Sequence, residues 1–149
     1  MSKLVSGDAK ITDLDLVWEA AKALGWLVHT SMLGVQVKYF DGNGPICDVV
    51  IQPQHEEDAR GRDVGSKYTI GFTQDRQTRK VTMYHDNAMN GGAVYSVESG
   101  QMDDTTMRVV GKMRQALGEA QITRILHKQR ANWRVEQRED GAKVYVVRR

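Results

Sequence analysis

Apolar positions along the chain recur at two different periods, and the changes of period mark out the elements. Leu14, Val17, Trp18, Ala21 and Leu24 fall three or four residues apart, which places them on one face of a helix. Thr12 or Asp13 offers a side-chain oxygen to an orphan N–H of the first turn. Gly25 is a natural stop, because glycine takes φ > 0 without steric cost. The period then shortens to two. Residues 26–30 are extended in character, or lead into a strand. Residues 35–40 alternate, residues 47–52 are a β-branched run, and Asp41-Gly42-Asn43-Gly44 between them carries turn chemistry, which together predict a hairpin. Residues 68–73 and 81–85 predict a second hairpin, joined across residues 74–80. Between the two hairpins, residues 54–66 are polar and form a long surface loop. Residues 87–101 are Gly-rich and irregular, with a short strand around 93–97.

The helical period returns at Asp103 or Asp104. Val110, Met113, Leu117 and Ala120 lie within about one quadrant of the helical wheel, and Ile122, Ile125 and Leu126 lie nearly opposite. Either the helix bends or breaks near Gly118, where glycine costs about 1 kcal/mol against alanine, or one straight helix is buried on two sides. Residues 133–137 and 143–147 close the chain as a hairpin around Glu139-Asp140-Gly141. Residues 1–11 are small and polar and read as a flexible N-terminal arm. Residues 12–149 then form a single α+β domain, an antiparallel sheet of hairpins covered on one face by two helices. Trp18, Trp26 and Trp133 fall at positions expected to face its core.

The order of these segments resembles a family of short conserved proteins of unknown function, found as a conserved reading frame in cyanobacteria and plastids and in bacteriophages. The residues that carry the resemblance are Ala23-Leu24-Gly25-Trp26, the stretch 35–52 with its turn, Tyr68-Thr69-Ile70-Gly71-Phe72, and Trp133-Arg134-Val135-Glu136 followed by Asp140-Gly141. Two features depart from the cyanobacterial pattern. Met83-Tyr84-His85-Asp86-Asn87 lacks the tryptophan usual there, and residues 54–66 look inserted. The resemblance implies a divergent, phage-like branch and the same α+β fold, and it assigns no activity.

Composition narrows the classes. The chain has 149 residues, 40% of them apolar and 27% charged, which suits one domain with a core of its own. No run approaches the roughly 18 apolar residues of a membrane span, and the first residues lack the apolar region of a signal peptide. The expected setting is therefore cytoplasmic, in a bacterial or host cell, with no membrane partner. A single cysteine, Cys47, excludes an internal disulfide framework and Cys-cluster metal sites.

Candidate chemistry is sparse. His55-Glu56-Glu57-Asp58 is rich in oxygen ligands but lacks the spacing of a calcium loop, and reads as a solvated acidic stretch. His85 and Asp86 could serve as an acid–base pair, although neighbours on a strand point to opposite faces. Cys47 sits in an apolar run and reads as a small hydrophobe. Asn90-Gly91-Gly92 could offer backbone N–H groups to an anion. No phosphate loop or nucleophile elbow is present, and no cofactor or metal is implied.

Charge is the most informative signal. The formal net charge of +2 hides an asymmetry: residues 1–104 carry 10 Lys and Arg against 15 Asp and Glu, a balance of −5, and residues 105–149 carry 11 against 4, a balance of +7. Arg124, Lys128, Arg130 and Arg134 are the candidate anion-binding residues, since guanidinium forks suit phosphate oxygens. The competing expectation is that the basic third pairs with the acidic two-thirds of the same domain. The leading functional expectation is a non-enzymatic binding protein, a phage accessory or host-takeover factor that takes a nucleotide, another phosphorylated small molecule or a host protein. The alternatives are a nucleic-acid-binding module and a small enzyme centred on His85 and Asp86. Open sheet edges also predict a homo-oligomer.

Overall fold

A computed structural model of the chain describes residues 3–39, 42–90, 101–129 and 132–148. Along them run β1 (Leu4–Asp8), α1 (Asp15–Leu24), β2 (Leu27–His29), β3 (Val35–Tyr39), β4 (Gly42–Cys47), β5 (Val49–Gln52), β6 (Ile70–Gln74), β7 (Val81–Asp86), α2 (Asp104–Lys128), β8 (Asn132–Gln137) and β9 (Lys143–Arg148). Five strands form one antiparallel sheet in the order β1-β7-β6-β5-β2. Both helices lie on one face of it. Alternate residues of three strands, Val49 and Ile51, Ile70 and Phe72, Val81 and Met83, share a buried cluster with Val17, Ala20 and Ala21 of α1 and Val109, Val110, Met113 and Leu117 of α2. This is the α+β arrangement that the apolar pattern predicts.

The opposite face is covered too. β3 and β4 form a separate hairpin that lies across the sheet, where Val37, Cys47 and Val50 form a second buried cluster flanked by Leu4, Val35 and Tyr84. Gly71 of β6 lies beneath this hairpin. A Cβ at position 71 would stand 2.2 Å from Val37 Cγ2 and 2.6 Å from Cys47 Sγ, so only glycine permits the approach. Thr69, just before β6, ties the hairpin down: its N–H donates to the Lys38 carbonyl at 3.1 Å, and its hydroxyl accepts the Lys38 N–H at 2.9 Å.

Several expectations are corrected. β3 does not pair with the run 47–52 as a whole. It pairs with β4, so Gly42, Asn43 and Gly44, read as turn residues, are strand residues. Asp48 marks the break, and Val49–Gln52 leave the hairpin to join the main sheet between β2 and β6. Residues 4–8 are no free arm: they pair with β7 along the sheet edge, Leu4 opposite Asp86 and Asp8 opposite Thr82. Trp26 is buried as expected, but Trp18 is 46% exposed, because α1 turns Leu16, Val17, Ala20 and Ala21 inward instead. The side chain of Trp133 and the strand expected at 93–97 lie outside the described residues.

Helix boundaries follow the local chemistry. Asp103 caps α2 by accepting the Thr106 N–H at 2.8 Å. The cap position of α1 is Leu14, without a side-chain bond, and Asp13 serves the first turn by accepting the Asp15 N–H at 2.9 Å. Gly25 ends α1 at φ 73°, as expected. α2 runs unbroken through Gly118 for 25 residues. Its buried positions run from Thr105 to Leu117, and beyond them only Leu126 is buried among the described residues. The helix is therefore continuous, and of the second apolar stripe only Leu126 is buried. Ile122 and Ile125 stay 40% and 48% exposed.

The close approach at Gly71 leads to a prediction. Gly71→Ala forces the β3–β4 hairpin off the sheet and should lower unfolding stability by about 1–3 kcal/mol, the usual range for overpacking. Urea denaturation measures it, and an unchanged midpoint would contradict the packing described.

Candidate functional site

The residues that sequence singled out as chemical are mostly occupied with structure. His85 is buried on the helix-facing side of β7. Its Nδ1 lies 2.7 Å from the main-chain oxygen of Asp86, not from the carboxylate. A carbonyl only accepts, so Nδ1 carries the proton and Nε2 the lone pair. The Asp86 carboxylate instead accepts the Ala88 N–H at 2.7 Å. The two side chains therefore do not form an acid–base pair. Burial holds the imidazole below its ordinary range; the bond to the Asp86 carbonyl opposes this, and the Arg114 charge adds to it.

The neighbouring polar groups bind chain segments together. The Asn87 side chain accepts the Lys3 N–H at 2.7 Å and donates to the Gln101 carbonyl at 3.0 Å, which fastens β1 and the approach to α2 to the end of β7. Thr106 Oγ1 accepts the Met89 N–H at 2.8 Å. Cys47 is buried, and its thiol is pushed up to about 11, first by burial and then by Asp48, which leaves it a thiol at neutral pH.

The acidic stretch is a clamp. Glu56, mostly buried, takes the Lys112 ammonium at 2.5 Å and the Arg108 guanidinium at 3.5 Å, which pins the loop to α2. Asp58 accepts the N–H groups of Arg60 and Arg62. Among the described residues, no three His, Cys, Asp or Glu side chains are grouped to hold a metal ion. No helix among them is long and apolar enough to cross a membrane.

The four candidate anion-binding residues are not brought together as one site. Arg124 reaches back to α1 and is held by Asp13 and by Glu19, the latter at 2.5 Å. Arg134 pairs along its own strand with Glu136 at 2.9 Å. Lys128 is exposed at the end of α2, and Arg130 lies outside the described residues. The pairing of the basic third with the acidic two-thirds is therefore realised at Arg124 and again at Glu56.

A different feature emerges in the same region. β8 and β9 pair only with each other among the described residues and stand apart from the main sheet. Val135 faces Tyr145 across the ladder, and Val147 follows two residues on, so these three share one face. Tyr145 turns toward α2, where it lines an open recess of about 680 Å³ with Gln115, Gly118, Glu119, Ile122 and Lys143. Lys143 and Glu119 close one side with an ion pair at 3.0 Å. Burial and the Glu119 charge raise the pKa of the Tyr145 hydroxyl, which stays protonated at neutral pH. Val135 and Val147 remain 50% and 40% exposed. Ile122 of the second apolar stripe thus looks onto the terminal hairpin. No family model, curated protein or solved structure matches the chain.

The buried imidazole has a measurable consequence. The unfolded chain takes up a proton at His85 near its ordinary value of 6.5, and the folded chain only at lower pH. This contribution to stability is full above 6.5 and is lost as pH falls from there through the folded value. Urea midpoints should therefore decline as pH falls below about 6.5, and His85→Asn, which keeps a donor for the Asp86 carbonyl, should flatten that decline. Equal slopes in the two proteins would contradict it.

Proposed function

We infer that this chain is a non-enzymatic binding protein and that it engages a protein partner through the terminal hairpin and the outer stripe of α2. The observation that carries this reading is the half-exposed apolar row of Val135, Tyr145 and Val147, of which Tyr145 faces Ile122 across an open recess. Exposed apolar rows with charged surroundings are the ordinary composition of a protein-binding patch. Lys128 and Arg138 give the surroundings a positive bias, which favours an acidic partner surface. A phosphorylated small molecule is the weaker occupant, since Arg124 is already neutralised by two carboxylates. The accessory or host-directed role implied by the phage-like resemblance is compatible with such a module.

Site-specific photo-crosslinking in the native cell tests the reading. A photoreactive residue at Val135 should yield adducts with another protein, and one at Arg76, in the exposed turn after β6, should not. Adding Val147→Lys to the Val135 probe should cut adduct yield severalfold. Absence of adducts at Val135, or equal yields from both positions, would overturn it.

A further inference from the structure

Among the described residues the β8–β9 hairpin is a sheet of two strands, and no described strand pairs with either of its long edges. A lone two-stranded sheet is marginal in water, and an open edge is a template for another strand. The outer edge of β8 carries a readable code. Next to the turn, the Arg138 N–H donates to the Ala142 carbonyl at 2.8 Å. Hydrogen-bonded and non-hydrogen-bonded pairs alternate along an antiparallel ladder. Counting back through the register, Glu136 and Arg134 direct their N–H and C=O groups toward β9, and Gln137, Val135 and Trp133 direct theirs outward.

A second β8 strand that meets this edge antiparallel must bring its own outward groups into line. Two such two-fold registers overlap most of the strand, one centred on Arg134 and one on Val135. The first sets Arg134 against its own copy, a like-charge contact. The second sets Val135 against Val135, Arg134 against the partner's Glu136, and Glu136 against the partner's Arg134. Both charged side chains are well exposed, at 70% and 52%, and they share a strand face, where their 2.9 Å pair already shows compatible reach.

We propose that a second copy of this chain occupies the β8 edge, antiparallel, in the two-fold register centred on Val135. The contact is isologous, each β8 giving and receiving the same groups. It converts two marginal hairpins into one four-stranded sheet and carries the row of Val135, Tyr145 and Val147 continuously across the axis. The inference rests on the reading of the hairpin as the binding element and deepens it by naming the first partner of its edge.

Charge reversal tests the register. Wild-type protein should elute at twice the chain mass in size-exclusion chromatography with light scattering. Arg134→Glu sets glutamates against each other at two places, and Glu136→Arg sets arginines against each other; each should weaken association by roughly tenfold or more. The double variant Arg134→Glu/Glu136→Arg should recover the dimer, and so should an equimolar mixture of the two single variants. Circular dichroism confirms that the variants fold. A wild-type monomer at all concentrations, or a dimer indifferent to these reversals, would overturn the inference. If the wild type is monomeric and Val135 still crosslinks to another protein, the second copy is excluded and the binding function stands.

Discussion

The missing side chain at position 71 is the constraint on which the architecture rests. A sheet residue with any Cβ would hold the β3–β4 hairpin away from β6, because Val37 and Cys47 occupy the space it would fill. With glycine there, the central sheet is covered on both faces, by two helices on one side and by a hairpin on the other. A sheet buried twice places apolar residues at successive positions, as Val49, Val50 and Ile51 do in β5. Burial on that scale supplies most of the folding free energy of a domain this size. At the end of β7 the Asn87 side chain joins β1 and the approach to α2.

The charge asymmetry acquires a physical meaning from the same geometry. The acidic segments of the first two-thirds lie against α2 and neutralise part of its positive charge, at Glu56 near one end and at Asp13 and Glu19 near the other. Exposed pairs of this kind contribute little each, but the mostly buried Glu56 carboxylate holds a long loop in place. Lys128 on the last turn of α2 and Arg138 on the terminal hairpin stand outside these ion pairs. That hairpin shares neither hydrogen-bonded ladder nor core cluster with the main sheet among the described residues, and it keeps its apolar row half exposed.

Much of the body was legible in the sequence. The helical period of 14–24, the two-residue period of β6 and β7 and the Asp-Gly turn between β8 and β9 follow from local sterics, so they read directly. The path of β3 to β5 did not. Gly42-Asn43-Gly44 has turn chemistry, and only the long-range packing of Val37 over Gly71 makes a strand of it. Trp18 misled for a related reason: its spacing fits the apolar face, but tight contact between α1 and the sheet favours the smaller Ala20 and Ala21. The phase break in α2 left two readings, a bend near Gly118 or a straight helix buried on two sides; the helix is continuous, and of its second stripe Leu126 is buried while Ile122 lines the recess beside Tyr145. The basic cluster was visible as charge, but the partners of Arg124 lie more than a hundred residues away in sequence, so its neutralisation could not be read from spacing.

In the proposed assembly the terminal hairpin is the binding element and a second copy covers its β8 edge. Amide hydrogen exchange at Val135 reads this out, because its N–H points away from β9 and meets no ladder partner among the described residues. The account predicts that exchange at Val135 slows as protein concentration rises, with Gln137 following it and the amides of β6 and β7 unaffected. Exchange at Val135 as fast as in an open strand, at every concentration, would contradict it.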